Sequence, residues 1–153
     1  MIVFSRCSFA QTPHSSLSSS FYSKAESLPR KEDDCSVLVV DDAPDITLML
    51  ACFLEKAGYR VRPVFSADEA LEAARSERFD VIISDIGLPG MDGYDLAKEL
   101  RALQNYRSTP LIALTGFTEY SDQRHAFDAG FDAHLTKPVD PSKLIELIGQ
   151  LGC

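Results

Sequence analysis

The sequence predicts a doubly wound α/β sandwich, in which a five-stranded parallel sheet lies between two layers of helices. Three observations carry that prediction. Short apolar runs such as Val37-Leu38-Val39-Val40, Val81-Ile82-Ile83 and Leu111-Ile112-Ala113-Leu114 have no polar alternation, as expected of strands buried on both faces. Each run is bounded by turn residues, and amphipathic helical stretches separate them. A regular alternation of strand and helix makes a parallel sheet with crossover helices on its faces.

The elements follow in order. Residues 1–34 are Ser-rich, with Ser15-Ser16 and Ser18-Ser19-Ser20, and show no sustained hydrophobic period, so they are expected to be a disordered tail ahead of one domain over residues 35–153. A first strand is expected near Ser36 to Val40. Pro44 then opens a helix through Ile46, Leu50 and Phe53 that Gly58 can end. Arg60 to Val64 is the second strand, and Ser66 with Glu69 forms a capping box for the second helix. The third strand runs from Val81 to Ser84 and the third helix from about Tyr94 to Leu103. Leu111 to Leu114 is the fourth strand, followed by a helix from Tyr120 to Ala129 that stops before Gly130. Ala133 to Thr136 is the fifth strand, and Pro141 to Ile148 the last helix. The expected strand order is 2-1-3-4-5, the flavodoxin-like, three-layer αβα arrangement.

Parallel strands share one carboxyl edge, and the residues ending these runs suit phosphoryl chemistry. Asp41-Asp42 follow the first strand, Asp85 the third, Thr115 the fourth and Lys137-Pro138 the fifth. Three carboxylates together repel one another unless a cation neutralises them, and hard oxygen ligands suit Mg2+, which keeps open positions for phosphate oxygens. Asp41 and Asp42 are the expected metal holders. Asp85, next to Lys137, is placed to attack phosphorus and form an aspartyl phosphate. Metal and Lys137 would spread the charge of the transferring group, and Thr115 would donate its hydroxyl to one phosphoryl oxygen. No general base stands out to expel the phosphate with water, so the set describes a phospho-acceptor rather than a turnover enzyme. A cis peptide bond is expected at Lys137-Pro138, where the lysine must point inward as the next loop starts.

Val39-Val40-Asp41-Asp42, Ser84-Asp85-Ile86-Gly87-Leu88-Pro89-Gly90-Met91-Asp92-Gly93, Ala113-Leu114-Thr115-Gly116 and Lys137-Pro138 together resemble the receiver domain of two-component response regulators, from about Ser36 to about Leu151. The resemblance implies that Asp85 is phosphorylated by a histidine kinase or histidine phosphotransfer protein. It implies that Asp41, Asp42, Asp85 and the backbone carbonyl of Gly87 hold Mg2+, and that Thr115 and Lys137 contact the phosphoryl group. The switch aromatic of the family falls on His134, where Tyr or Phe is commoner. Phosphorylation is then expected to draw Thr115 inward and reshape the face of the last strand and last two helices, where a target protein would dock. An imidazole moving into that space is favoured neutral, so activation is expected to weaken in mild acid. Gly130-Phe131-Asp132-Ala133-His134-Leu135-Thr136-Lys137-Pro138-Val139 is also similar to receivers of hybrid histidine kinases, which leaves a stand-alone regulator and a phosphorelay shuttle both open.

Composition bounds the rest. The 153 residues carry a net charge of −8, and residues 1–34 sum to zero, so the acidic domain is expected to repel nucleic acid. No apolar run approaches the ~20 residues that span a bilayer, so a soluble, cytoplasmic protein is expected. Cys7, Cys35, Cys52 and Cys153 show neither a C-x-x-C pair nor metal spacing, and reduced thiols are the expectation. The tail has no acidic residue before Glu26, as in transit peptides, but lacks their Arg-rich amphipathic pattern. Two other functions suit the fold. A flavin mononucleotide site needs a hydroxyl- and glycine-rich cradle where this chain has Asp41-Asp42-Ala43-Pro44-Asp45, and a phosphatase with an Asp nucleophile usually has a second Asp where this chain has Gly87.

Overall fold

The computed structural model describes residues 34–116 and 120–153; the expected Ser-rich tail, apart from Asp34, lies outside them. The elements are β1 (Ser36–Val40), α1 (Pro44–Lys56), β2 (Arg60–Val64), α2 (Ala67–Ser76), β3 (Val81–Asp85), α3 (Gly93–Ala102), a 3-10 turn (Gln104–Tyr106), β4 (Leu111–Thr115), α4 (Tyr120–Ala129), β5 (Ala133–Thr136) and α5 (Pro141–Gln150). All strand pairs are parallel, in the order β2-β1-β3-β4-β5.

Every residue of β1, β3 and β4 is buried, because helices cover both faces of these central strands. Leu38, Val40, Ile82, Leu111 and Ala113 pack against α2, α3 and α4 through Leu71, Leu96, Leu100 and Ala126. Val37, Val39, Ile83, Ile112 and Leu114 pack on the opposite face against α1 and α5 through Leu50, Leu54, Leu144 and Ile148. The edge strand β2 alternates exposed and half-buried positions, with Arg60 and Arg62 facing solvent.

The helix ends follow from local chemistry. Ser66 caps α2 by accepting the Glu69 N–H at 3.1 Å, and the Glu69 carboxylate reaches back to the N–H of Phe65, one residue outside the cap, at 2.9 Å. Asp92 and Asp140 cap α3 and α5. Three helices stop in the same way. After α1, α4 and α5, Gly58, Gly130 and Gly152 take positive φ (103°, 116° and 107°), and the next residue donates its N–H to a carbonyl five residues back. That turn folds Tyr59 and Phe131 onto the two apolar layers, and it places Cys153 correspondingly at the end of α5.

Cys153 is bonded to Cys35, the residue just before β1, with Cα atoms 5.9 Å apart. This corrects the expectation of reduced thiols, and Cys52 is disulfide-bonded as well, so no described cysteine is free. The sequence separation of 118 residues hid the contact, which arises because the helix stop brings Cys153 back over the amino-terminal edge of the sheet.

At the same edge Arg101 ties four segments together. Its guanidinium donates to the carbonyls of Gly130 (3.1 and 2.7 Å), Tyr106 (2.7 Å) and Thr109 (2.7 Å) and pairs with Asp132 at 2.9 Å. Asp132 in turn accepts the Leu111 N–H at 2.8 Å, so the starts of β4 and β5 and the end of α4 depend on one side chain. Arg101→Ala leaves these carbonyls without charged donors, and urea denaturation should show a loss of about 3 kcal/mol with the m-value unchanged.

Candidate functional site

The carboxyl ends of β1 and β3 are neighbours, yet the chain leaves them toward opposite ends of the sheet, β1 to β2 and β3 to β4. A crevice opens where strand order reverses in this way. The register pairs Val40 with Ser84, so Asp41 and Asp85 come side by side one residue further on. β3 and β4 run one residue past their apolar cores, making Asp85 and Thr115 strand residues rather than loop residues. The ladder continues through Ile86 N–H to Leu114 C=O (3.0 Å) and Lys137 N–H to Thr115 C=O (2.7 Å). The latter bond sets Lys137 beside β4, and the Lys137-Pro138 bond is cis, as expected.

Asp41, Asp42 and Asp85 offer carboxylate oxygens within 4.8 Å of one another, with Asp41 and Asp85 buried and Asp42 exposed. Neither aspartate after β1 caps α1. The cap position is Ala43, which has no side-chain bond, so capping is not why they are there. One Asp41 oxygen accepts the Ala43 N–H at 3.0 Å, and the other accepts the Lys137 ammonium at 2.9 Å. Lys137 also lies 3.2 Å from Asp85 Oδ2, while Asp85 Oδ1 accepts the Gly87 N–H at 3.2 Å. One ammonium therefore bridges the ends of β1 and β3 from the end of β5.

Burial alone would lower the pKa of that ammonium, but Asp41 and Asp85 outweigh it and hold it above its ordinary 10.5. The stabilisation from this pairing is thus fully present below about pH 10.5 and is lost only as pH rises through the raised value. Lys137 stays charged throughout the neutral range.

The oxygen-rich donor set fits a hard divalent cation. Carboxylates already crowded to within 4.8 Å, one of them open to solvent, provide what Mg2+ takes from protein while it keeps its waters. Thr115 is buried on β4, and Thr136 pairs with it across the sheet. His134 pairs with Ala113, two residues before Thr115, which puts it on the same sheet face as that threonine. There it borders a cleft of about 440 Å³ together with Phe127 and Phe131.

Two residues that support the site were not singled out from the sequence. The buried Thr47 hydroxyl lies 2.8 Å from both the Asp41 and Ala43 carbonyls, bracing the β1–α1 turn. Gly93 begins α3 against the site backbone, where a Cβ would fall 2.4 Å from the Asp85 carbonyl oxygen. Only the run of turn residues ahead of it hints at this in the sequence; the close approach belongs to the packed state.

Residues 37–149 match the response regulator receiver domain, and the chain belongs to that family, the receiver domains of two-component systems. It is 40% identical over 114 residues to a 14.6 kDa protein of the sodA1 3′ region of Leptolyngbya boryana, covering 74% of this chain and 87% of that one. It is 37% identical over 117 residues to the sensory/regulatory protein RpfC of Xanthomonas campestris, where 75% of this chain matches only 16% of the relative. Among solved structures it is similar to chemotaxis response regulator CheY4 of Vibrio cholerae, with TM-score 0.74 and 35% identity over 77% of this chain and 98% of that one. It is also similar to the receiver domain of sensor histidine kinase PA1611 of Pseudomonas aeruginosa, solved with a magnesium ion in its active-site cleft, with TM-score 0.72 and 32% identity over 78% of this chain and 99% of that one. The flavin-binding and phosphatase alternatives gain no support: the loop after β1 is acidic, and Gly87 offers no acid or base.

Gly93→Ala should push α3 away from Asp85. Chemical denaturation should show about 2–3 kcal/mol lost, and isothermal titration should show weaker Mg2+ binding than in the parent protein.

Proposed function

We propose that Asp85 accepts a phosphoryl group from a phosphohistidine on a histidine kinase or histidine phosphotransfer protein, and that the modified domain changes its protein contacts. The observation that carries this reading is the meeting of Asp41, Asp42 and Asp85 with the Lys137 ammonium at one strand edge. Asp41, Asp42, Asp85 and the Gly87 carbonyl would hold Mg2+. Bound there, the ion would supply charge neutralisation and orientation for the phosphoryl oxygens.

The protein's own groups do the remainder. An Asp85 carboxylate oxygen forms the new O–P bond as the N–P bond of the donor breaks, and the imidazole leaves with the electron pair. The Lys137 ammonium takes up charge on the transferring group, and the Thr115 hydroxyl donates to a phosphoryl oxygen. Gly87, beside the Asp85 carboxylate, carries no side chain that could act on water, which supports a signal state rather than a turnover intermediate. The domain is thus a phospho-acceptor whose only catalysis is of its own phosphorylation and slow dephosphorylation.

Donor docking is supported by Ile46, Met49 and Phe53 of α1, exposed by 37%, 45% and 45%. Their i, i+3, i+7 spacing makes one stripe on the helix that leaves the site. The downstream face is β5 with α4 and α5, where Phe127 is 70% exposed beside the His134 cleft. His134 is the proposed switch side chain that follows Thr115. The acidic surface argues against direct nucleic acid binding, and no described helix is long and apolar enough to cross a membrane. The cytoplasm is the setting this donor chemistry implies, with residues 1–34 as an appended tail.

Asp85→Asn should abolish phosphorylation by acetyl phosphate while leaving the circular dichroism unchanged, and Asp42→Ala should reduce Mg2+ affinity and phosphorylation rate together. Incorporation at the parental rate in the Asp85 variant would remove the nucleophile assignment. His134→Tyr should change the partner affinity of the phosphorylated domain while leaving its phosphorylation rate at the parental value; an unchanged affinity would remove His134 from the switch.

A further inference from the structure

We infer that Cys35 and Cys153 are a reversible thiol–disulfide latch that fixes the carboxyl end of α5, closed by a low-molecular-weight disulfide and opened by a dithiol reductant. The placement is built into the helix stop. Gly152 at φ 107° and the bonds Gly152 N–H to Gly149 C=O (3.3 Å) and Cys153 N–H to Ile148 C=O (3.3 Å) set Cys153 where the matching turns of α1 and α4 set Tyr59 and Phe131. In those turns the residue contributes apolar packing. Here it contributes a sulfur, and the Cα separation of 5.9 Å lies within disulfide reach.

The two sulfurs are not equivalent. Cys35 is 6% exposed, in the apolar layer with Val37, Leu54 and Ile148, whereas Cys153 is exposed. An incoming reagent therefore meets Cys153 first. In closing, the Cys153 thiolate attacks a glutathione-type disulfide, forming a mixed disulfide and releasing one thiolate. Cys35 then gives up its proton to water and attacks the Cys153 sulfur, expelling the second thiolate. The two protein thiols are oxidised and the small disulfide is reduced to two thiols. In opening, a reductant attacks Cys153 and must expel the Cys35 thiolate into apolar surroundings, which makes it a poor leaving group. A monothiol is then displaced again by Cys35, while a dithiol completes the reduction by closing on itself.

The latch acts on α5 at the end opposite the site. The amino end of α5 follows Lys137 by four residues and is capped by Asp140, and Leu144 and Ile148 bury its inner face. Residues 151–153 are held by four helix-stop bonds, two from Leu151 and one each from Gly152 and Cys153, to which the disulfide adds a covalent tie. In a reducing compartment the latch stands open and closes as disulfide oxidant accumulates. The consequence for partner binding rests on the face proposed above; the latch itself does not.

The test treats the full chain with oxidised glutathione, reduced glutathione or dithiothreitol, then combines alkylation with peptide mapping and native-state hydrogen exchange. The oxidised sample should yield a Cys35–Cys153 cross-linked peptide, opened quickly by dithiothreitol and slowly by an equal concentration of monothiol. On opening, exchange of the amides of residues 151–153 should rise about tenfold or more. Cys153→Ser, at an exposed position, should exchange like the reduced protein in every buffer. Free, alkylated Cys35 and Cys153 after oxidation, or a cross-link from either to another cysteine, would overturn the pairing. A cross-link that leaves exchange of residues 151–153 unchanged would overturn the latch.

Discussion

A half-buried ammonium bridging two buried carboxylates is the interaction on which the site depends. Asp41 is fully buried and Asp85 nearly so, at strand ends the parallel register forces together. Two such charges are unsustainable without a counter-ion in a low-dielectric crevice. Lys137 supplies it from the far side of β4, so β1, β3 and β5 are electrostatically joined at the edge where their side chains act. The same pairing keeps the ammonium charged beside both carboxylates.

The scaffold holds this arrangement from both ends. At the site edge Thr47 braces the β1 turn, Gly93 lets α3 press against the Asp85 backbone, and the Lys137 amide extends the β4 ladder. At the opposite edge Arg101 gathers the ends of α3 and α4 and the starts of β4 and β5, while the Cys35–Cys153 bond closes α5 onto β1. The two faces of the sheet carry separate apolar layers. A displacement of α4 and a displacement of α5 therefore repack different sets of side chains around the same strands. The surface proposed for signalling, α4 with β5 and α5, spans both.

Much of this was legible in the sequence because strand burial and site chemistry meet at the same residues. An apolar run with no polar alternation identifies a central strand, and the first polar residue after it stands at the carboxyl edge, as Asp41 does. Asp85 and Thr115 were legible as chemistry but misplaced by one residue, since the ladder outlasts the apolar run. Gly58, Gly130 and the Ser66 box were readable as helix punctuation because their signals are local. What stayed hidden was non-local. Nothing near Arg101 in the chain announces carbonyls 29 residues away, and nothing near Cys35 announces a partner 118 residues on.

The central claim is that Asp85 is the phosphoryl acceptor of a site assembled by Asp41, Asp42 and Lys137. The most direct measurement is borohydride trapping of the protein after incubation with acetyl phosphate and Mg2+, followed by peptide sequencing by mass spectrometry. Reduction of an aspartyl phosphate leaves homoserine, and the account requires that product at position 85 and dependence on the divalent ion. Homoserine at Asp41 or Asp42, or an unreduced Asp85 in protein that has taken up phosphate, would contradict it.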